Sequence, residues 1–195
     1  MRKFWMITAL GLMASAPAQA QLMDVLTAPK TLIDRAIEAR SAGDIAKDNE
    51  IVVKVNAIMG KLGTIKASTE IYEQRLLITG IFDDKAVYNK FESEVRKVAG
   101  VKKLYWHVTY LPENDPSRKS LLDWADVTVM AAKAQGRLVG TAGVADVNFR
   151  TTADSYGTVY LIGRARSGEE AKKALARVRD GKGVRKVVDY VVVRP

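Results

Sequence analysis

Apolar and polar residues alternate along two stretches of the chain that read almost alike. GVKKLYWHVTY runs from Gly100 to Tyr110, and GVRKVVDYVVV runs from Gly183 to Val193. Each opens on Gly-Val and a basic pair, then enters the period-two pattern of a strand. They stand 183 − 100 = 83 residues apart. Upstream, Leu76-Leu77-Ile78-Thr79-Gly80 aligns at the same offset with Val159-Tyr160-Leu161-Ile162-Gly163. Between these two stretches the apolar period switches to that of a helix. Tyr88, Phe91, Val95 and Val98 carry it in the first copy, and Ala171, Ala174, Leu175 and Val178 in the second. A further extended run precedes each copy's central strand, Thr64 to Glu73 and Ala145 to Ala153, with turns at Gln74 and at Tyr156-Gly157. Ahead of each hairpin the pattern predicts a helix, about Asp48 to Lys61 and about Leu121 to Gln135.

The expected fold class is therefore α+β: two tandem α-β-β-α-β modules, each a three-stranded sheet covered on one face by two helices. The first module spans 44–112 and the second 119–195, joined by a linker at 113–118 that is bounded by Pro112 and carries Pro116. In the last strand of the first module Leu104, Trp106, Val108 and Tyr110 share one face, aligned with Val187, Asp189, Val191 and Val193 in the second. The opposite face carries Tyr105, His107 and Thr109, aligned with Val188, Tyr190 and Val192. In the second copy that face is too apolar for solvent, so it calls for a cover or a partner. In the helix near Leu121, the stripe Leu122, Ala125, Val129 and Ala132 is expected to face the core. Trp124 then points elsewhere, with Val127 and Ala131 beside it.

The first 20 residues read differently. Arg2 and Lys3 precede an apolar run from Phe4 to Ala14, and Pro17-Ala18-Gln19-Ala20 places small residues where a signal peptidase reads. Residues 1–20 are expected to be a cleaved signal peptide, an uncleaved anchor being the alternative. Residues 21–43 follow as an N-terminal helical segment, with Ile33, Ala36 and Ile37 on one side. Export implies a periplasmic protein, peripheral to a membrane if it meets one. The chain has no cysteine, so disulfides and a lipidated N-terminal cysteine are both excluded.

Beyond the leader there remain 31 − 2 = 29 basic and 22 acidic residues. The first module holds 11 basic and 9 acidic residues and the second 14 and 8. Most of the excess lies in Arg164, Arg166, Lys172, Lys173, Arg177, Arg179, Lys182, Arg185 and Lys186. Such a run is either a solvated helix face or a surface for an anionic bilayer, where each cation contributes on the order of 1 kcal/mol. Nucleic acid is not the expected partner of an exported chain. Chemistry for catalysis is sparse. His107 stands alone in a strand, and Asp83-Asp84 sits where a helix cap is needed. No catalytic residue, metal ligand or cofactor is assigned.

The repeated pattern resembles the BON domain, the bacterial osmotically-inducible and nodulation module. The likeness lies in a strand ending in glycine, a helix, then Gly-Val-x-x-Val before an alternating strand. Residues 158–163 and 183–193 carry it well. Residues 75–80 and 100–110 depart from it at Leu104 and Trp106, and Asp48-Asn49-Glu50-Ile51 fits the first helix. The resemblance implies a non-catalytic envelope protein of dual-BON type that supports envelope integrity, with a role in stress response and outer-membrane association. It further implies binding of anionic phospholipid by the second module, carried here by Trp124, Val127, Lys172, Lys173, Arg177, Arg179, Lys182, Arg185 and Lys186. The alternative is a periplasmic adaptor that docks proteins on the exposed sheet face of the second module. Gly80, Gly100, Gly163 and Gly183 are expected to be structural glycines, and Trp124 faces either lipid or the first module.

Overall fold

A computed structural model describes residues 37–195. The expected signal peptide, and the expected helical segment as far as residue 36, lie outside the described residues. The elements are α1 (Ala42–Lys61), β1 (Ala67–Tyr72), β2 (Arg75–Phe82), α2 (Lys85–Val95) and β3 (Lys103–Tyr110) in the first module. The second has α3 (Trp124–Leu138), β4 (Phe149–Ala153), β5 (Thr158–Ala165), α4 (Gly168–Arg179) and β6 (Lys186–Val193). The chain is thus α+β with two α-β-β-α-β modules. In each sheet the central strand pairs antiparallel with the hairpin strand and parallel with the last strand. The parallel pairing is why a helix separates the last two strands, since no tight turn can reverse the chain there.

Two cores lie between the sheets and their helices. Ile51, Val55, Ile78, Phe82, Phe91 and Val95 anchor the first. Val127, Ala134, Leu138, Phe149, Leu161 and Val178 anchor the second. α1 begins six residues earlier than the pattern predicts, because the Ser41 hydroxyl caps it by accepting from Asp44 N at 3.0 Å. Asp48 consequently lies inside a helix, where it is fully buried. Its carboxylate accepts from Glu73 N at 2.9 Å and from Gln74 N at 2.7 Å. Those two residues form the β1–β2 turn with φ of 53° and 61°, a left-handed pair that usually needs Asn or Gly. The buried carboxylate holds the turn that the residue types alone would not favour.

The linker is not simply extended: Pro116–Ser120 form a 3₁₀ turn, capped by Asp115. Gly80 and Gly163 occupy the same station in β2 and β5. A side chain at Gly80 would collide with the Lys66 carbonyl oxygen, and one at Gly163 with the Asn148 carbonyl oxygen. Gly100 and Gly183 share a left-handed φ, 95° and 86°.

The outer faces of the sheets pack on one another. Tyr72 and Leu77 of the first module meet Tyr160 and Ile162 of the second, with Tyr105, Val188 and Tyr190 around them. Tyr105 and Tyr190 stack at 3.8 Å. The His107 Nε2 lies 2.7 Å from the Tyr190 hydroxyl, and these two residues are repeat equivalents. Contact between equivalents indicates a near-twofold relation of the sheets. The sheet face of the second module, expected to be open as a docking surface, is therefore occupied by the first module. The adaptor reading loses its surface for that reason. Polar bonds fix the packing: Arg75 donates to Tyr190 O at 2.8 Å and to Gly163 O at 2.7 Å. A strap at residues 37–40 crosses both modules. Ala39 N donates to Asn148 Oδ1 at 2.7 Å, and Arg40 reaches Asp48 at 2.9 Å.

Candidate functional site

The helical layer of the second module collects most of the residues singled out by the sequence, but not in the expected arrangement. α3 starts at Trp124, behind Asp123, whose carboxylate accepts from Asp126 N at 2.8 Å. Leu122 then sits before the cap and packs on the core as Val127 does, a hydrophobic staple. Leu122 is outside the helix, so it cannot set the helical phase. The inward stripe is instead Val127, Ala131, Ala134 and Leu138. Val127, assigned to the lipid surface, is only 4% exposed and belongs to the core. Ala125, Val129 and Ala132, assigned to the core, are exposed. Val129 is 49% exposed, and Val139, at the end of α3, 61%. The spacing of Ala125, Val129, Ala132 and Gly136 puts them on one outward face.

α4 lies alongside α3. Ser167 caps it by accepting from Glu170 N at 3.2 Å. Ala171, Ala174 and Val178 are buried and Leu175 packs against the same core, so the intervening positions turn outward. These are Lys172, Lys173, Arg177 and Arg179, all exposed. Arg177 Nε approaches Thr141 Oγ1 at 3.3 Å and the Lys173 side chain lies near Gly143. The cations of α4 thus hang over the segment that leaves α3. An apolar outward helix face and a cationic one stand side by side.

The rest of the basic stretch separates from them. Arg164 pairs with Glu73 at 3.6 Å and Arg166 with Glu170 at 3.4 Å, so both serve the fold. Arg185 covers Gly157, and Lys186 opens β6. Lys182, Arg185 and Lys186 are exposed. Among the described residues, Lys172, Lys173, Arg177, Arg179, Lys182, Arg185 and Lys186 make no ion pair.

Trp124 is 43% exposed and lines a cleft of about 450 Å³ between the modules, shared with Ile65, Ile81, Leu121, Leu122 and Ser155. It stands at the opposite end of α3 from Thr141 and Arg177. Fifteen helical residues separate the two ends, roughly 22 Å. Tyr156, whose sequence context marks only a turn, is an exposed aromatic near that same end. Leu122 N donates to Ser155 O at 2.9 Å, which joins its turn to the start of α3.

The remaining candidates are structural. Burial holds His107 below the ordinary imidazole range, and its ring stands 4.4 Å from that of Tyr160. Asp84 caps α2 by accepting from Ala86 N and Val87 N, and Asp83 pairs with Lys66. Among the described residues no group of three or more His, Cys, Asp or Glu could hold a metal ion. No described helix is long and apolar enough to cross a membrane.

Residues 126–195 match the BON domain family, so one BON domain is found and it coincides with the second module. An uncharacterized protein of the gshII 5′ region of Anaplasma centrale is 28% identical over 145 residues, covering 74% of this chain and 93% of that protein. Two structures of CdsD, a structural protein of the type III secretion system of Chlamydia trachomatis, also align. One, described as structural studies of CdsD, is 13% identical, covers 75% of this chain and 93% of its own, and has a TM-score of 0.31. The other, the C-terminal domain, is 11% identical, covers 75% and 98%, and has a TM-score of 0.34.

Proposed function

We propose that this chain is a non-catalytic envelope protein that binds anionic phospholipid at a membrane surface through the helical layer of its BON module. The observation that carries the reading is the pairing of two outward helix faces. α3 and its C-cap offer Ala125, Val129, Ala132 and Val139 to solvent, and α4 beside it offers Lys172, Lys173, Arg177 and Arg179, none of them in an ion pair among the described residues. Apolar contact with cations beside it is what a peripheral membrane protein needs. Three or four cations near an anionic surface contribute on the order of 1 kcal/mol each. Insertion of two valine side chains adds about 2–4 kcal/mol. Trp124, half exposed beside the cleft between the modules, lies roughly 100° around the helix from Ala125 and is not part of that face. The first module buries the sheet face of the second, and among the described residues the helical layer is the uncovered side.

Sedimentation with vesicles tests this. Binding to vesicles rich in phosphatidylglycerol should exceed binding to phosphatidylcholine vesicles and fall as salt rises, because exposed charges are screened over about 8–10 Å. The Lys172→Glu, Lys173→Glu, Arg177→Glu variant should fold normally and lose binding. Binding indifferent to lipid charge, to salt and to that variant would end the proposal.

A further inference from the structure

The near-twofold relation of the sheets creates two matched stations, each where the chain entering a module's first helix passes the other module. At one station the strap at residues 37–40 enters α1 and is held by a polar clasp. Asn148 accepts from Ala39 N at 2.7 Å and donates to Ile37 O at 3.1 Å. Arg164 donates to Ala39 O at 3.4 Å, and the Tyr72 hydroxyl donates to Glu38 at 3.0 Å. At the other station Leu121 and Leu122 enter α3. The residues 83 positions from the clasp are Ile65 for Asn148, Ile81 for Arg164, Leu121 for Glu38 and Ser155 for Tyr72. Three polar members thus give way to aliphatic side chains, and the bulkiest gives way to a serine. Among the described residues this station stays open, as the cleft of about 450 Å³ that Trp124 lines. That volume lies within the range of small-molecule sites.

The lining offers a ligand apolar contact and little else, because its charged groups are engaged. The Asp154 carboxylate accepts from Tyr156 N, Thr158 N and the Tyr160 hydroxyl. That of Asp123 accepts from Asp126 N. Lys66 pairs with Asp83, and the Arg118 guanidinium donates to the Pro112 and Leu111 carbonyls. The Ala153 and Ser155 carbonyls accept from Thr79 Oγ1 and Leu122 N. A sugar or a nucleotide would strand most of its polar groups there. The walls are Ile65, Ile81, Leu121, Leu122 and Trp124. Ile65 is 61% exposed, so with Trp124 it keeps apolar surface in water at the cleft. Removing that surface from water is the gain on binding, and a methylene chain achieves it without any hydrogen bond.

We propose that this cleft binds the alkyl chain of a single-chain amphiphile of the fatty-acid kind, with the head group left in water at the mouth. The chain lies between the aliphatic walls and the Trp124 indole. It uses neither the outward face of α3 nor the cations of α4, so the site does not rest on vesicle binding by the helical layer.

NMR of the full chain, titrated with octyl, nonyl and decyl maltoside and with decanoate below their micelle concentrations, tests the assignment. Shifts should centre on the Trp124 indole N–H and on the methyls of Ile65, Ile81 and Leu121. Affinity should rise about fourfold for each added methylene. Decanoate should match decyl maltoside within about threefold, because the head stays outside. Ser155→Tyr takes the residue of the clasped station, and Ile81→Trp enlarges a wall. Each fills the cleft and should weaken decyl maltoside binding by about tenfold or more while keeping the melting temperature. The Lys172→Glu, Lys173→Glu, Arg177→Glu variant should bind decyl maltoside as the wild type does. Shifts centred on Val129 and Val139, an affinity indifferent to chain length, or binding that survives both filling variants would overturn the proposal. So would decanoate binding without maltoside binding, or loss of maltoside binding in the α4 variant.

Discussion

Glu70 stands in β1 opposite Leu77, on the face that meets the second module. Burial there pushes its carboxyl up to about 7, against the opposing attraction of Arg150 across the interface. The native state therefore holds a proton that the unfolded chain, with an ordinary carboxyl at 4.5, releases. Below about pH 4.5 both states are protonated and Glu70 has no effect on stability. As pH rises from there through 7, the unfolded state gains from ionising and the native state does not, so stability falls. The full loss is about 2.5 pH units at 1.36 kcal/mol each, or about 3 kcal/mol as an upper limit, since Glu70 keeps partial solvent contact. Glu70→Gln removes the titrating group while keeping its shape. Urea unfolding of both proteins should show the variant gaining 1–3 kcal/mol on wild type between about pH 5 and pH 8. His107 titrates with the opposite sign. Burial depresses it, so stability is lost as pH falls below about 6.5. The difference between the two proteins cancels that contribution. A difference that does not change with pH would refute a buried Glu70 at the interface.

Other substitutions probe separate parts of the fold. Gly163→Ala places a Cβ against the Asn148 carbonyl and 2.9 Å from Phe149 Cα, so it should cost at least about 2 kcal/mol in thermal unfolding. Asp48→Ala strands the left-handed turn at Glu73-Gln74 and removes one of the two carboxylates that hold Arg40, Glu38 being the other, and should cost about 2–4 kcal/mol by urea unfolding. Val127→Lys should unfold the second module, seen as loss of near-ultraviolet signal. Val129→Glu, two residues on, should keep the melting temperature within about 1 kcal/mol equivalent and abolish binding to anionic vesicles.

The repeat was legible because backbone geometry wrote it into residue types. Gly80 and Gly163 sit where a neighbouring strand's carbonyl forbids a side chain, and Gly100 and Gly183 where φ is positive. The modules' element order followed from the apolar periods around those glycines. The phase of α3 was misread because Leu122 is apolar and adjacent, yet lies before the cap, so a stripe counted from it falls on the solvent side. Asp48 looked like a surface residue of a helix start. Its partners at Glu73 and Gln74 are 25 and 26 residues away, and only the fold brings them to it. The apolar face of β6 signalled that it needed a cover, but composition could not say that the first module supplies one. The cationic run was visible, while its division between α4 and the β6 end depends on where each helix face points.

The outward face of α3 is the central claim, and the absence of cysteine from the chain allows it to be measured directly. An environment-sensitive fluorophore on Val129→Cys should shift to the blue on addition of phosphatidylglycerol vesicles. The same label on Val53→Cys, an exposed site in α1 of the first module, should not. A shift at position 129 that high salt reverses is the result expected. No shift at 129, or an equal shift at both positions, would contradict membrane binding through the helical layer of the second module.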